Sequence, residues 1–176
     1  EAVRALFEKS GIEIIASLSM GLSLDDLKRS PSAALNVALS YAGIEIAKYM
    51  ERVYHIPYIA GVPLGDGKAM LTAVRRFLSG EKSDSGSVWE IASKANAAQT
   101  SHKRILIAGE QVTACSIRNE LRRISRTADI EAAYLFNSFS EYAEACDRKS
   151  VCERELMDLV NGGSYTDIVA DPLVGE

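Results

Sequence analysis

The stretch Leu35–Gly61, "LNVALSYAGIEIAKYMERVYHIPYIAG", decides the fold. It opens with a short apolar run, continues with apolar residues at three- and four-residue spacing, and closes on a second apolar run that ends in glycine. The middle part places Ile46, Ala47, Met50, Val53 and Tyr54 inward and Glu45, Lys48, Glu51 and Arg52 outward, the pattern of an amphipathic helix on a sheet. A strand joined through a helix to the next strand implies a parallel pair and a right-handed crossover. Ser40 falls where the first strand ends.

The same alternation extends in both directions. "GIEIIASLS" from Gly11 is an isoleucine-rich run and is expected to form a strand over 12–18 buried in a parallel sheet. Ser23 with Asp26 is a capping box, and Pro31 bounds the short helix it starts. Further strands are expected at 35–40, 56–60, 104–108, 130–136 and 167–170. Between them, Met70, Leu71, Val74, Phe77 and Leu78 mark a helix that Gly80 closes, and Trp89, Ile91, Ala92 and Ala95 mark another. "VTACSIRNELRRIS" is a further helix with Ile117, Leu121 and Ile124 inward, and Ser150 with Glu153 is a capping box for a last one, ended by Gly162-Gly163. The polar "GEKSDSGS" from Gly80 reads as a surface connection. The expectation is therefore α/β, with parallel sheets flanked by helices in three layers. It comprises two Rossmann-like units, an N-terminally incomplete one over 1–80 and a second over 81–176.

Composition narrows the function. The 176 residues are 47% hydrophobic and 25% charged with a net charge of −4, ordinary for a globular chain and without the basic footprint of a nucleic-acid binder. The arginines 118, 122, 123 and 126, with Glu120 among them, read as a solvated helix face. Three cysteines, 115, 146 and 152, are an odd number without a close pair, which argues against a secreted disulfide framework and for a reducing cytoplasm. Cys146 and Cys152 read as buried structural thiols rather than metal ligands, and His55 and His102 read as solvent-facing. No apolar run reaches the length needed to span a bilayer, so no membrane partner is expected. The opening "EAVRALFEKS" has neither a signal core nor an initiating Met, and suggests an excised part of something longer.

Ligands of parallel α/β sheets collect beyond the carboxyl ends of the strands, where helix N-termini aim amide hydrogens into the crevice. The candidate binding residues are accordingly Ser40 and Tyr41, Gly61 and Gly65, and Gly109, Glu110 and Gln111, with Asn137-Ser138 and Asp171-Pro172 as further strand ends. "GVPLGDG" has the glycines of a phosphate-cradling turn but matches neither Walker A nor G-x-G-x-x-G. For Glu110 two readings stand open, a complement to the helix dipole and a ligand contact. No catalytic residue is assigned.

The stretch "SLSMGLSLDDLKRSPSAALNVALSYAGIEIAKYMERVYHIPYIAGVPLGDGKAMLTAVRRFL" also resembles the middle domain of nitrogenase component 1 and its relatives. "ALN" introduces a strand, "HIPYIAG" resembles the family's "GIPY" step, "HKRILIAGEQVTACSIRNELRRI" resembles its "KRV-x-I-x-GD" strand and helix, and "TDIVADP" its later "D-x-V-x-G" strand. The resemblance implies a cytoplasmic oxidoreductase subunit, paired with a sister subunit or a second copy of itself. A separate ATP-dependent iron–sulfur reductase would supply its electrons for reducing a small molecule or a tetrapyrrole. It further implies an iron–sulfur cluster in the full-length protein, held by cysteines upstream of Glu1, and no cofactor or metal in these residues, which alone would be inactive. In the catalytic nitrogenase subunit the matching strand end carries the cysteine that holds the iron–molybdenum cofactor; the position here is Ser40. Two alternatives accompany this reading: a non-catalytic cofactor-assembly scaffold of the same family, and a small-ligand-binding module of two Rossmann-like units.

Overall fold

A computed structural model describes residues 2–18, 21–89, 103–124, 128–149 and 151–170. The chain divides into two compact units, Glu1–Ala38 with Ala42–Ala92, and Leu39–Tyr41 with Ser93–Glu176.

The first unit is built on a parallel sheet in the order β1 (Asn36–Ala38), β2 (Tyr58–Ala60), β3 (Gly86–Ser87). The helices are α1 (Ala2–Lys9), α2 (Leu24–Arg29), α3 (Tyr41–Tyr54) and α4 (Lys68–Leu78). Ser23 starts α2 with the expected reciprocal cap, its hydroxyl accepting from Asp26 N at 3.0 Å. Gly80, at φ 77, follows the end of α4. One face of the sheet carries a core of Phe7 from α1, Ile59 from β2, Met70, Ala73, Val74 and Phe77 from α4, and Val88. All three residues of β2 are buried, as a strand covered on both faces requires.

Three expectations fail here. The 12–18 run is not a strand of the described sheet: Ile12 and Ile14 pack on the α1–α4 core, but no neighbouring strand pairs with their backbone. Apolar alternation fixes which side chains turn inward; a ladder also needs a partner edge. Conversely, "GEKSDSGS" supplies a strand, because the small Gly86 and Ser87 fit fully buried against β2, with Ser85 Oγ accepting from Tyr58 N at 2.9 Å and donating to Glu51. The inward face of α3 is rotated as well. It buries Ile44, Ala47 and Met50, while Ile46 and Val53 are each 44% exposed.

The second unit holds a parallel sheet in the order β5 (Ala128–Tyr134), β4 (Lys103–Gly109), β6 (Asp167–Ala170). Helix α5 (Gln111–Ile124) packs against β4 and β5, and α6 (Glu153–Gly162) joins the cluster of Leu106, Ala108, Ala133, Val151 and Leu156. The result is a three-layer Rossmann-like arrangement. Helix α6 begins later than expected: Cys152 is its cap, with the Cys152 amide donating to Glu155 at 2.9 Å. Ser150 lies outside the described residues, as do His102 and the expected helix beyond Trp89. His55 is exposed at the end of α3. No helix among the described residues is long and apolar enough to cross a membrane.

The rotated face of α3 gives a direct test. Ile44, fully buried, should cost about 2–5 kcal/mol when truncated to alanine. Ile46→Ala should stay within about 0.5 kcal/mol. Urea unfolding of both variants checks this; equal losses would put both side chains in the core.

Candidate functional site

At the carboxyl end of β2 the turn is closed by its own groups. The Gly61 amide donates to Ala38 O at 3.0 Å. A Cβ at position 61 would lie 2.8 Å from Val88 Cγ2, so its glycine is required by packing. Gly65 has φ 58, the left-handed conformation glycine tolerates. The start of α4, where a phosphate would sit, already holds a carboxylate: Asp66 accepts from Lys68 N at 3.0 Å and pairs with Lys68 Nζ at 2.6 Å. An anion at that helix end would meet Asp66, which speaks against a phosphate cradle in "GVPLGDG".

In the second unit, the turn after β4 gathers several of the candidate residues. Glu110 Oε2 accepts from Thr113 N at 3.1 Å, which makes Glu110 the N-cap of α5. Its Oε1 accepts from the Tyr41 amide at 2.7 Å. Gln111 is buried and clasps one residue of the loop after β5: its Nε2 donates to Phe139 O at 2.8 Å and its Oε1 accepts from Phe139 N at 2.7 Å. The Phe139 ring in turn stacks on Tyr41, with centroids 4.5 Å apart and planes 20° from parallel. Tyr41, Glu110 and Gln111 thus form one connected set through Phe139. Gly109 has open space where a Cβ would be. Asn137 and Phe136, the latter 66% exposed, lie at the end of β5. Ser40 is half-buried, and Asp171-Pro172 lies outside the described residues.

Phe139 was not among the sequence candidates, and neither was the polar cluster beneath it. Asp147, with no exposed side-chain surface, accepts hydrogen bonds from Arg118 Nη1 at 2.6 Å, Tyr134 Oη at 2.5 Å, Glu144 N at 2.8 Å and Ala132 N at 3.1 Å, and a longer one from Cys146 Sγ at 3.9 Å. Arg118 also lies 3.4 Å from Glu144, which Arg122 grips with two bonds of 2.6 and 2.8 Å. Burial pushes the Asp147 pKa up, but the bonds from Arg118 and Tyr134 outweigh it and hold the carboxyl below its ordinary value. The Arg122 bonds do the same for Glu144. Burial raises the Cys115 thiol, which lies 3.4 Å from Tyr134 Oη, and makes it unreactive.

These contacts correct two readings. Arg118 is not on a solvated face; it is 3% exposed, inside a helix face of Gln111, Val112, Ala114 and Cys115, while Ile124 is 69% exposed. The 111/112, 115, 118 spacing carried the signal, and a charge at its last position hid it. Arg122 likewise has a partner, in Glu144, whereas Arg123 pairs with Glu120 on the surface as expected. Cys146 and Cys152, read as buried thiols, are both exposed, whereas Cys115 is buried.

A profile of nitrogenase component 1 type oxidoreductases matches residues 1–122. The chain belongs to that family. It is also 38% identical over 78 residues to one subunit of the light-independent protochlorophyllide reductase of Nephroselmis olivacea, a match covering 43% of this chain and 14% of that relative. No solved structure matches the chain.

The described residues do not suit an iron–sulfur cluster of this oxidoreductase family. Cys115 is enclosed by Tyr134, Arg118 and the Tyr142 carbonyl, and no group of three or more potential ligands stands together among the described residues.

The Asp147 cluster sets a pH dependence. A carboxyl whose folded pKa is depressed stabilises the fold above its unfolded pKa, and that stability is lost as pH falls through the folded value. Stability should therefore fall on acidification below the ordinary carboxylate range, and Asp147→Asn should flatten that acid limb. Arg118→Met, which strands a buried charge, should cost about 3–5 kcal/mol at pH 7. Urea midpoints across pH 3–7 test both; an unchanged acid limb in Asp147→Asn would remove Asp147 as its source.

Proposed function

We propose that the chain is part of a nitrogenase-like reductase subunit. In this reading it accepts electrons from an ATP-dependent iron–sulfur reductase and reduces a tetrapyrrole or another small molecule, together with a sister subunit or a second copy. The family match over residues 1–122 carries the reading, supported by the 38% identity to a subunit of a protochlorophyllide reductase. The matched relative is about seven times longer than the aligned part, so the activity belongs to the whole protein. The cluster would be held by residues beyond these 176.

Ser40 supports an organic substrate in preference to a metal cofactor. A neutral hydroxyl is a poor iron ligand where the nitrogenase-type site implied by the resemblance has a thiolate. Tyr41, which follows Ser40, stacks on Phe139 and offers an aromatic surface, to which Glu110 and Gln111 at the end of β4 are hydrogen-bonded, while Gly61 and Gly65 shape the β2 turn of the first unit and Gly109 ends β4. The same serine also favours a second reading, an assembly scaffold that carries a cofactor without turning it over.

The full-length gene product, made anaerobically, should show an iron–sulfur absorption spectrum and consume protochlorophyllide when supplied with a cognate iron protein, ATP and reductant. A cluster without turnover of any tetrapyrrole would favour the scaffold, and a full-length protein without iron would overturn both. Ser40→Cys should then add metal binding if the position retains the geometry of a ligand site.

A further inference from the structure

A cavity opens in the second unit away from the Glu110 turn, toward the amino ends of β4 and β6. Its volume is about 450 Å³, enough for a small organic molecule with some water. Strands β4 and β5 contribute Arg104 and Glu131, α6 contributes Asp158 and Leu159, and Arg148 and Tyr165 come from the segments between elements. None of these residues belongs to the strand-end set around Tyr41.

Several of them are fixed in place. Arg148 is bonded through its backbone along β5, its amide donating to Ala132 O at 2.8 Å and its carbonyl accepting from Tyr134 N at 2.8 Å. Its Nε donates to the buried Glu131 at 2.9 Å. The Arg104 guanidinium lies over the Tyr165 ring, 5.0 Å from its centroid. The turn before that ring holds a glycine of necessity, because a Cβ at Gly163 would collide with the Tyr165 ring and with Leu159 O.

Most of the charge here is already committed. Arg104 is shared among Asp129, Glu131 and Ser164, and Glu155, also in the lining, accepts from the Cys152 amide. Two groups differ. Beyond Glu131, the Arg148 guanidinium has no acceptor among the described residues, and its side chain is 59% exposed. The Asp158 carboxylate has no hydrogen bond or ion pair among the described residues. A simple anion on Arg148 would meet the carboxylates of Glu131, Glu155 and Asp158, and a simple cation on Asp158 would meet two guanidiniums. A molecule that carries both charges satisfies each end.

We propose that this cavity binds a small zwitterion of the α-amino-acid class. Its carboxylate lies on the Arg148 Nη nitrogens, whose planar fork matches two carboxylate oxygens. Its ammonium pairs with Asp158, and an aliphatic side chain packs on Leu159, the aliphatic residue of the lining. The site does not rest on the reductase reading.

Three ligands of one shape separate the charges: L-leucine, isocaproate, which lacks the ammonium, and isoamylamine, which lacks the carboxylate. Saturation-transfer NMR on the full-length gene product gives their affinities. Leucine should bind, and each analogue should bind about tenfold or more weakly, as should leucine to Arg148→Gln and to Asp158→Asn. Both substitutions are at exposed side chains, and an unchanged melting temperature shows that the fold is retained. Absence of leucine binding at millimolar concentration would overturn the proposal. So would equal binding of either analogue, or leucine affinity unchanged in either variant.

Discussion

Parallel pairing is the constraint from which the rest of this structure follows. A parallel strand cannot be joined to its neighbour by a tight turn, so each pairing here is separated in sequence by a crossover. The crossovers cover the sheet faces, and covered faces demand strands apolar on both sides. β2, buried throughout, and the Ile105–Ala108 stretch of β4 satisfy that demand. The crossovers also bring every strand's carboxyl end to one side, which collects Ser40, the β2 turn and the Glu110 turn at strand ends within their own units.

Within the second unit a different force fixes the long loop after β5. Its backbone is tied by side chains: Gln111 clasps Phe139 near one end and Asp147 gathers Arg118, Tyr134 and two backbone amides near the other. A buried carboxylate held by several donors is costly to leave half-satisfied and gains little over a well-packed apolar core. Its value lies in geometry: Asp147 holds the Glu144 amide of the loop, while Gln111 holds Phe139, whose ring stacks on Tyr41.

The parallel α/β architecture was legible in the sequence because long-range alternation of apolar runs survives small errors of phase. Strands β4, β5 and β6 fall within two residues of their expected positions. Phase itself was less legible. On α3 the apolar residues nearly encircle the helix, so Ile46 and Val53 resembled core as much as Ile44 did, and the choice depended on neighbours the sequence does not display. On α5 an arginine occupied a core position, and hydropathy cannot announce that a charge has a buried partner 29 residues away. β3 was invisible for the opposite reason: glycine and serine are turn residues by habit and become strand only where a sheet leaves them no room for more. Strand-end logic named Tyr41, Glu110 and Gln111, which the structure connects through Phe139; Phe139 itself lies five residues past its strand, where that logic does not look.

The close approach of Gly61 to Val88 ties two distant positions into one unit of inheritance. Any side chain at 61 must be matched by a smaller residue at 88, and that smaller residue would open the core beside Met70 and Ile59. Drift at either position alone is therefore blocked, while paired change is costly. The shape of the β2 turn is guarded by the packing beneath it.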